Sequence, residues 1–163
     1  MKTTAIDEQT KAVGSSLHVV GGVYEVLDLG PFDNNRSGIQ AINDLGQMAG
    51  VSINAATGRI EAFREEAGKR TPLGTLGGSF SIARDINNGG EIVGGSLTKG
   101  DDDFHGFLYR DDQIHDLNEL LVPGSQWELI QALSINDRSE ILGIGSRDGQ
   151  DRMVLLRPST PRT

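Results

Sequence analysis

The sequence predicts an all-β chain of three tandem four-stranded antiparallel repeats, arranged as β-propeller-like blades. Three observations carry that expectation. Short apolar runs alternate with Gly, Asn and Asp clusters along most of the chain. With 22 Gly against 8 aromatic residues, turns are frequent and aliphatic side chains must fill the interior. Most specifically, the chain is self-similar at a step of 44: Leu29-Gly30 aligns with Leu73-Gly74, Ile42-Asn43 with Ile86-Asn87, Gly50 with Gly94 and Phe63 with Phe107. A third copy follows after five extra residues and places Ala132, Ile135-Asn136, Ile141 and Gly143 on Ala83, Ile86-Asn87, Ile92 and Gly94.

Residues 1–14 have no periodicity and are read as a tail. Leu17 to Val20 reads as an isolated strand that could pair at an edge. The repeat domain spans 15–158, with copies at about 23–66, 67–110 and 111–158, and residues 159–163 form a second tail. In the first copy the four strands are Val23 to Leu29, Gly38 to Ile42, Gln47 to Ile53 and Ile60 to Arg64. The second and third are joined by Asn43-Asp44-Leu45-Gly46, matched by Asn87-Asn88-Gly89-Gly90 and Asn136-Asp137-Arg138-Ser139. Asn and Asp tolerate left-handed geometry and bond their own main chain, and Gly supplies positive φ, so these are hairpin turns. Gly50, Gly94 and Gly143 stand inside strands, where glycine marks a bulge or a close backbone approach. Their recurrence suggests inner strands crowding a common axis or stacking seam. Phe63 and Phe107, with Leu155 or Leu156 in the third copy, are the expected anchors between copies.

The net charge of −8, with no compensating Lys/Arg cluster, argues against nucleic acid and anionic membrane surfaces as partners. No apolar stretch approaches the roughly 18 residues of a membrane span, and no secretion signal is visible near Met1. The absence of cysteine excludes disulfides and thiolate metal sites.

The repeat resembles the HAF repeat, a bacterial module often described as extracellular. The resemblance rests on Leu73-Gly74-Thr75-Leu76-Gly77-Gly78-Ser79-Phe80-Ser81, on Ile86-Asn87-Asn88-Gly89-Gly90-Glu91-Ile92-Val93-Gly94-Gly95-Ser96, and on His105-Gly106-Phe107-Leu108-Tyr109 at the place of the His-Ala-Phe signature. The third copy is similar to a variant found at the ends of such arrays, with Asp116-Leu117-Asn118-Glu119-Leu120-Leu121 and Trp127. The resemblance implies propeller-like β structure but no particular activity, so function has to be argued from sites.

Asp101, Asp102, Asp103 and His105 gather three carboxylates and an imidazole beside a turn, a composition that could offer oxygen ligands to Ca²⁺, without the spaced ligands and closing Glu of a calcium loop; the segment reads first as a solvated hairpin tip. His18, His105 and His115 lack zinc-pair spacing. Gly74-Thr75-Leu76-Gly77-Gly78 opens no helix and belongs to the repeat, so it is not a phosphate loop. Trp127, the single tryptophan, stands in the enlarged loop of the third copy as a ligand platform or as a cap over the terminal repeat.

The leading expectation is a non-catalytic binding or protein-interaction module, with no resident cofactor and an unknown protein or small ligand as partner. The alternatives are a hydrolase with Asp28, Asp85, Asp116 and Asp137 converging at one end of the blades, and a structural assembly protein pairing through edge strands. Because propellers typically have about four to eight blades, three copies suggest a homodimeric ring or an open stack ahead of a fragment of a longer array.

Overall fold

The computed structural model describes residues 24–29 and 38–159, and the chain divides into two compact units, 1–31 and 32–163. In the first unit residues 24–29 have no regular secondary structure and are exposed. The strand expected from Val23 to Leu29 is therefore not formed over 24–29. Among the described residues no strand pairs with it, and an apolar run becomes a strand only where a ladder takes up its N–H and C=O groups. The expected strand at Leu17 to Val20, His18 and both tails apart from Ser159 lie outside the described residues.

The second unit is all-β, with no α-helix among its described residues. Its strands are β1 (Gly38–Ile42), β2 (Met48–Ile53), β3 (Ile60–Glu66), β4 (Lys69–Gly74), β5 (Gly77–Ile86), β6 (Ile92–Thr98), β7 (Phe104–Arg110), β8 (Gln113–Asp116), β9 (Glu128–Ile135), β10 (Ile141–Arg147) and β11 (Gln150–Leu156). They form one sheet of eight strands and one of three. The larger sheet is two antiparallel four-strand segments, β1–β4 and β5–β8, joined through a single parallel bridge between Ile60 and Phe80. The third sheet is β9–β10–β11. Among the described residues no barrel is closed.

The strands fall where the apolar runs predict, but the partition into sheets differs from the sequence copies. β4, the opening run of the second copy, turns back at Ala67-Gly68, both with positive φ, and pairs with β3. β8 pairs with β7 in the same way. Each four-strand segment thus takes its last strand from the next stretch of sequence, because a two-residue hairpin brings that strand to the nearest open edge.

Two apolar layers hold the segments together. Ala49, Ala62 and Leu73 of the first segment pack on Ala83, Ile86, Ile92, Phe107 and Tyr109 of the second. Val93 and Leu108, on the opposite face of the second segment, pack with Leu117 on Leu129, Ala132, Ile135 and Ile141 of the third sheet. Alternation along β6 (Ile92 to one layer, Val93 to the other) lets one thin sheet serve both cores. Phe107 is the expected anchor of the first layer, and Phe63 is also buried, with the Arg70 guanidinium 4.2 Å from its ring centre. Leu156 packs against the second layer, whereas Leu155 points outward and is 52% exposed.

Gly50, Gly94 and Gly143 have a local cause. A Cβ at each would meet the carbonyl oxygen of Gly38, Ile82 or Gln131 in the neighbouring strand of the same sheet. At all three places the ladder shifts register, around Gln40, Arg84 and Leu133. The glycines admit the partner backbone at a β-bulge, which accounts for them without a crowded common axis.

Candidate binding groove and the polar clusters around it

The loop from Leu117 to Trp127 links the second segment to the third sheet. Its entry is fixed by Asn118, whose side-chain oxygen accepts from Leu129 N at 2.6 Å and whose amide donates to Leu129 O at 3.1 Å. Successive turns close through Glu119 N to Asp116 O and Leu120 N to Leu117 O. This loop and β11 border an apolar groove of about 630 Å³, lined by Leu117, Leu121, Val122, Trp127, Val154 and Leu156, with Arg110 and Arg157 also on its wall. Val122 is 63% exposed there.

Trp127 stands just before β9, half-buried against the second apolar layer and lining the groove. Its backbone N–H donates to Ser125 Oγ, and the Arg147 guanidinium lies 5.8 Å from its ring centre. It therefore covers part of the core and offers an indole face to the groove. Composition did not single out Leu121, Val122 or Val154, and it offered Leu156 only as a packing anchor, since aliphatic residues in a loop and an edge strand carry no local signal for a groove; the five-residue insertion was the one hint.

The other candidate side chains are bound into the structure. His105, on β7, has Nδ1 2.6 Å from Asp116 Oδ2 and Nε2 3.8 Å from Glu128 Oε1. Asp116 Oδ1 accepts from the backbone and side chain of Asn118. The strand neighbours His115 and Asp116 face apart, and the partner of Asp116 comes from across the hairpin. Asp101 lies in a short 3₁₀ turn, Lys99–Asp101, at an exposed hairpin tip. Its carboxylate accepts from the Ser79 hydroxyl (2.7 Å) and backbone N–H (2.6 Å), and these bonds hold its pKa below the ordinary aspartate value. Asp102 and Asp103 are exposed and share none of its recorded contacts. Among the described residues, no three His, Asp or Glu side chains form a group that could hold a metal ion.

The carboxylates that could have converged at one end serve separate hydrogen-bond sets. Asp85 Oδ2 accepts from Ser134 Oγ and Ile135 N, tying β5 to β9. Asp137 bonds Asn88, and Asp28 lies in the first unit. Buried Glu61 is held by Asn54 and Thr57, and Glu65 by Arg70. A second, polar cleft of about 440 Å³ is lined by Arg64, Glu91, Tyr109 and Asp112. Burial raises the Tyr109 phenol, and the neighbouring Asp112 carboxylate adds to the effect.

The turn asparagines do more than close hairpins. Asn43 Nδ2 donates to Asn87 O at 2.9 Å, and Asn87 Nδ2 to Asn136 O at 3.1 Å. Beside them, Asp44 N donates to Asn88 Oδ1 and Asn88 N to Asp137 Oδ1. The Asn88 amide also reaches both Asp44 and Asp137 at 2.9 Å. The three turns are thereby stacked on one another. Compared with protein-family models, curated proteins and solved structures, the chain matches none.

Proposed function

We propose that the chain is a non-catalytic protein-interaction module built from tandem HAF-like repeats, its three strand groups stacked as propeller-like blades. The turn ladder supports the repeat reading: the same contacts recur between residues 44 and then 49 apart, as do the bulges and the strand glycines. One contrast carries the functional reading. The acids and imidazole that hydrolysis would require are fixed in structural hydrogen bonds, whereas the groove beside Trp127 presents apolar surface to solvent beside an edge strand. An extended segment with apolar side chains fits such a site, because strand addition satisfies the edge and the groove takes alternate side chains.

Trp127, as the single indole, reports on the groove directly. Titration with extended apolar peptides is expected to change its emission and raise the melting temperature by mass action. Trp127→Ala should keep the fold and lose the rise in melting temperature. Turnover of ester or glycoside substrates that disappears in Asp116→Asn would overturn the reading.

A further inference from the structure

The first two strand groups have four strands and the third has three. In the first, β4 completes the group on the outer edge of β3, with Phe63 opposite Pro72, Arg64 opposite Thr71, Glu65 opposite Arg70 and Glu66 opposite Lys69. In the second, β8 does the same on β7, with Phe107 opposite Asp116, Leu108 opposite His115, Tyr109 opposite Ile114 and Arg110 opposite Gln113. Over these four pairs the registers are identical once offset by 44, and they part only beyond Phe63, where Ala62 stands opposite Gly74 after a register shift. In the third sheet β11 pairs with β10 alone among the described residues, and β11 borders the apolar groove.

The sequence contains one more copy of the fourth-strand segment. Forty-four residues before Lys69-Arg70-Thr71-Pro72-Leu73 stands Glu25-Val26-Leu27-Asp28-Leu29. Leu73 and Leu117, which end the two formed copies, are 6% and 2% exposed, yet Leu29 is 51% exposed. Val26 and Leu27 are 97% and 80% exposed.

We infer that Glu25–Asp28 of a second copy of this chain adds to β11 as the fourth strand of the third sheet. The proposal rests on the interaction-module reading and names its partner. Gly50, Gly94 and Gly143 stand opposite Phe63, Phe107 and Val154, which fixes the register of β11 relative to β3 and β7. Asp28 then faces Val154, Leu27 faces Leu155, Val26 faces Leu156 and Glu25 faces Arg157. Val26 takes the position of Ile114, which packs on the first apolar layer, and so enters the groove beside Leu156. Glu25 brings a second carboxylate to Arg157, which pairs with Glu140 Oε1 at 3.2 Å and whose side chain is 71% exposed.

A second observation points to the same partner. Val93 and Leu108 of the second segment, 0% and 4% exposed, are covered by the third sheet. Their counterparts on the third sheet, Leu142 and Leu155, are 42% and 52% exposed, with Met153 beside them at 61%. The chain that follows the donated strand leads to β1, as the chain after β4 leads to β5. The second copy's first segment is the cover that the proposal assigns to this face. Applied in both directions, the exchange completes two third sheets and closes a ring of six groups by two equivalent contacts.

The test uses the chain's lack of cysteine. In β7–β8, Leu117 N bonds Gly106 O, so Tyr109 and Ile114 are a non-hydrogen-bonded pair, whose side chains approach closely enough for a disulfide. The equivalent double variant is Val26→Cys with Leu156→Cys in the full chain. Mild oxidation is expected to give a covalent dimer of doubled mass on a non-reducing gel, with neither single variant forming the mixed link. A link within one chain, or none while both thiols remain reactive, would overturn the proposal. Val26→Asp guards against a variant that fails to fold, because the side chain is exposed in the isolated chain. It should raise the dimer dissociation constant by about 100-fold, from the lost valine burial and the carboxylate placed in the groove. An unchanged constant would also overturn it. If the cross-link fails but apolar peptides still change Trp127 emission, the second-copy assignment falls and the interaction module stands.

Discussion

Replacing Asn87 by alanine tests the turn ladder at its centre. Asn87 is 5% exposed. Its amide donates to Glu91 Oε2 at 2.6 Å and Asn136 O at 3.1 Å, while its side-chain oxygen accepts from Glu91 N at 2.9 Å. Alanine removes three hydrogen bonds and leaves a part-buried carboxylate and a main-chain N–H without that partner. A net contribution of about 1 kcal/mol per bond gives a loss of about 3 kcal/mol. Asn136→Ala is the control. Its side chain makes comparable bonds within its own turn, to Glu140, Arg138 N and Glu140 N, but donates to no further turn and is exposed. Water replaces its partners, so the loss should be about 1 kcal/mol. At about 4 °C per kcal/mol for a domain of this size, Asn87→Ala melts about 12 °C lower and Asn136→Ala about 4 °C lower. Urea unfolding followed by circular dichroism supplies the free energies. Equal losses in the two variants would refute the reasoning, because burial and the bond to the next turn are what distinguish them.

Three further outcomes follow from the same geometry. Gly94→Ala drives a methyl against the Ile82 carbonyl and the Phe107 ring and should lose about 3 kcal/mol; Gly46→Ala, at φ 76° with open space around it, should lose only about 1 kcal/mol in the same unfolding assay. Ser81→Ala removes a fully buried hydroxyl that accepts from Ala62 N and donates to Gly74 O, and should lose about 2 kcal/mol by denaturant titration. The Asp101 carboxyl has a lowered pKa in the folded chain, so its bond to Ser79 is fully present above the ordinary aspartate range and is lost as pH falls through the lowered value. The Ser79 amide resonance should therefore titrate with a midpoint below the ordinary aspartate value, and Asp101→Asn should abolish that transition.

Strand positions were legible because they depend on local alternation and turn chemistry. Gly38–Ile42, Met48–Ile53 and Ile60–Glu66 each lie between Asn, Gly or Asp turns. The division into strand groups was not legible, since it depends on which open edge a hairpin reaches, and β4 turns back onto β3. The Val23 to Leu29 run has the composition of a strand, but strand structure also requires a ladder partner, which composition does not encode. The asparagines were readable as turn residues, while the bond from Asn43 to a carbonyl 44 residues away requires the stacking to be known first. At the site, the insertion pointed to Trp127. The edge of β11 and the wall formed by Leu121, Val122, Val154 and Leu156 emerged only once the third sheet was seen to have three strands.

The most direct test of the account is light scattering of the unmodified chain across a range of concentrations, read alongside Trp127 emission. A particle of twice the chain mass that dissociates on dilution is expected, with the indole emission shifting to the red as the groove opens to water. A chain that stays monomeric at every concentration, with unchanged emission, would contradict the claim that a second copy completes the third sheet.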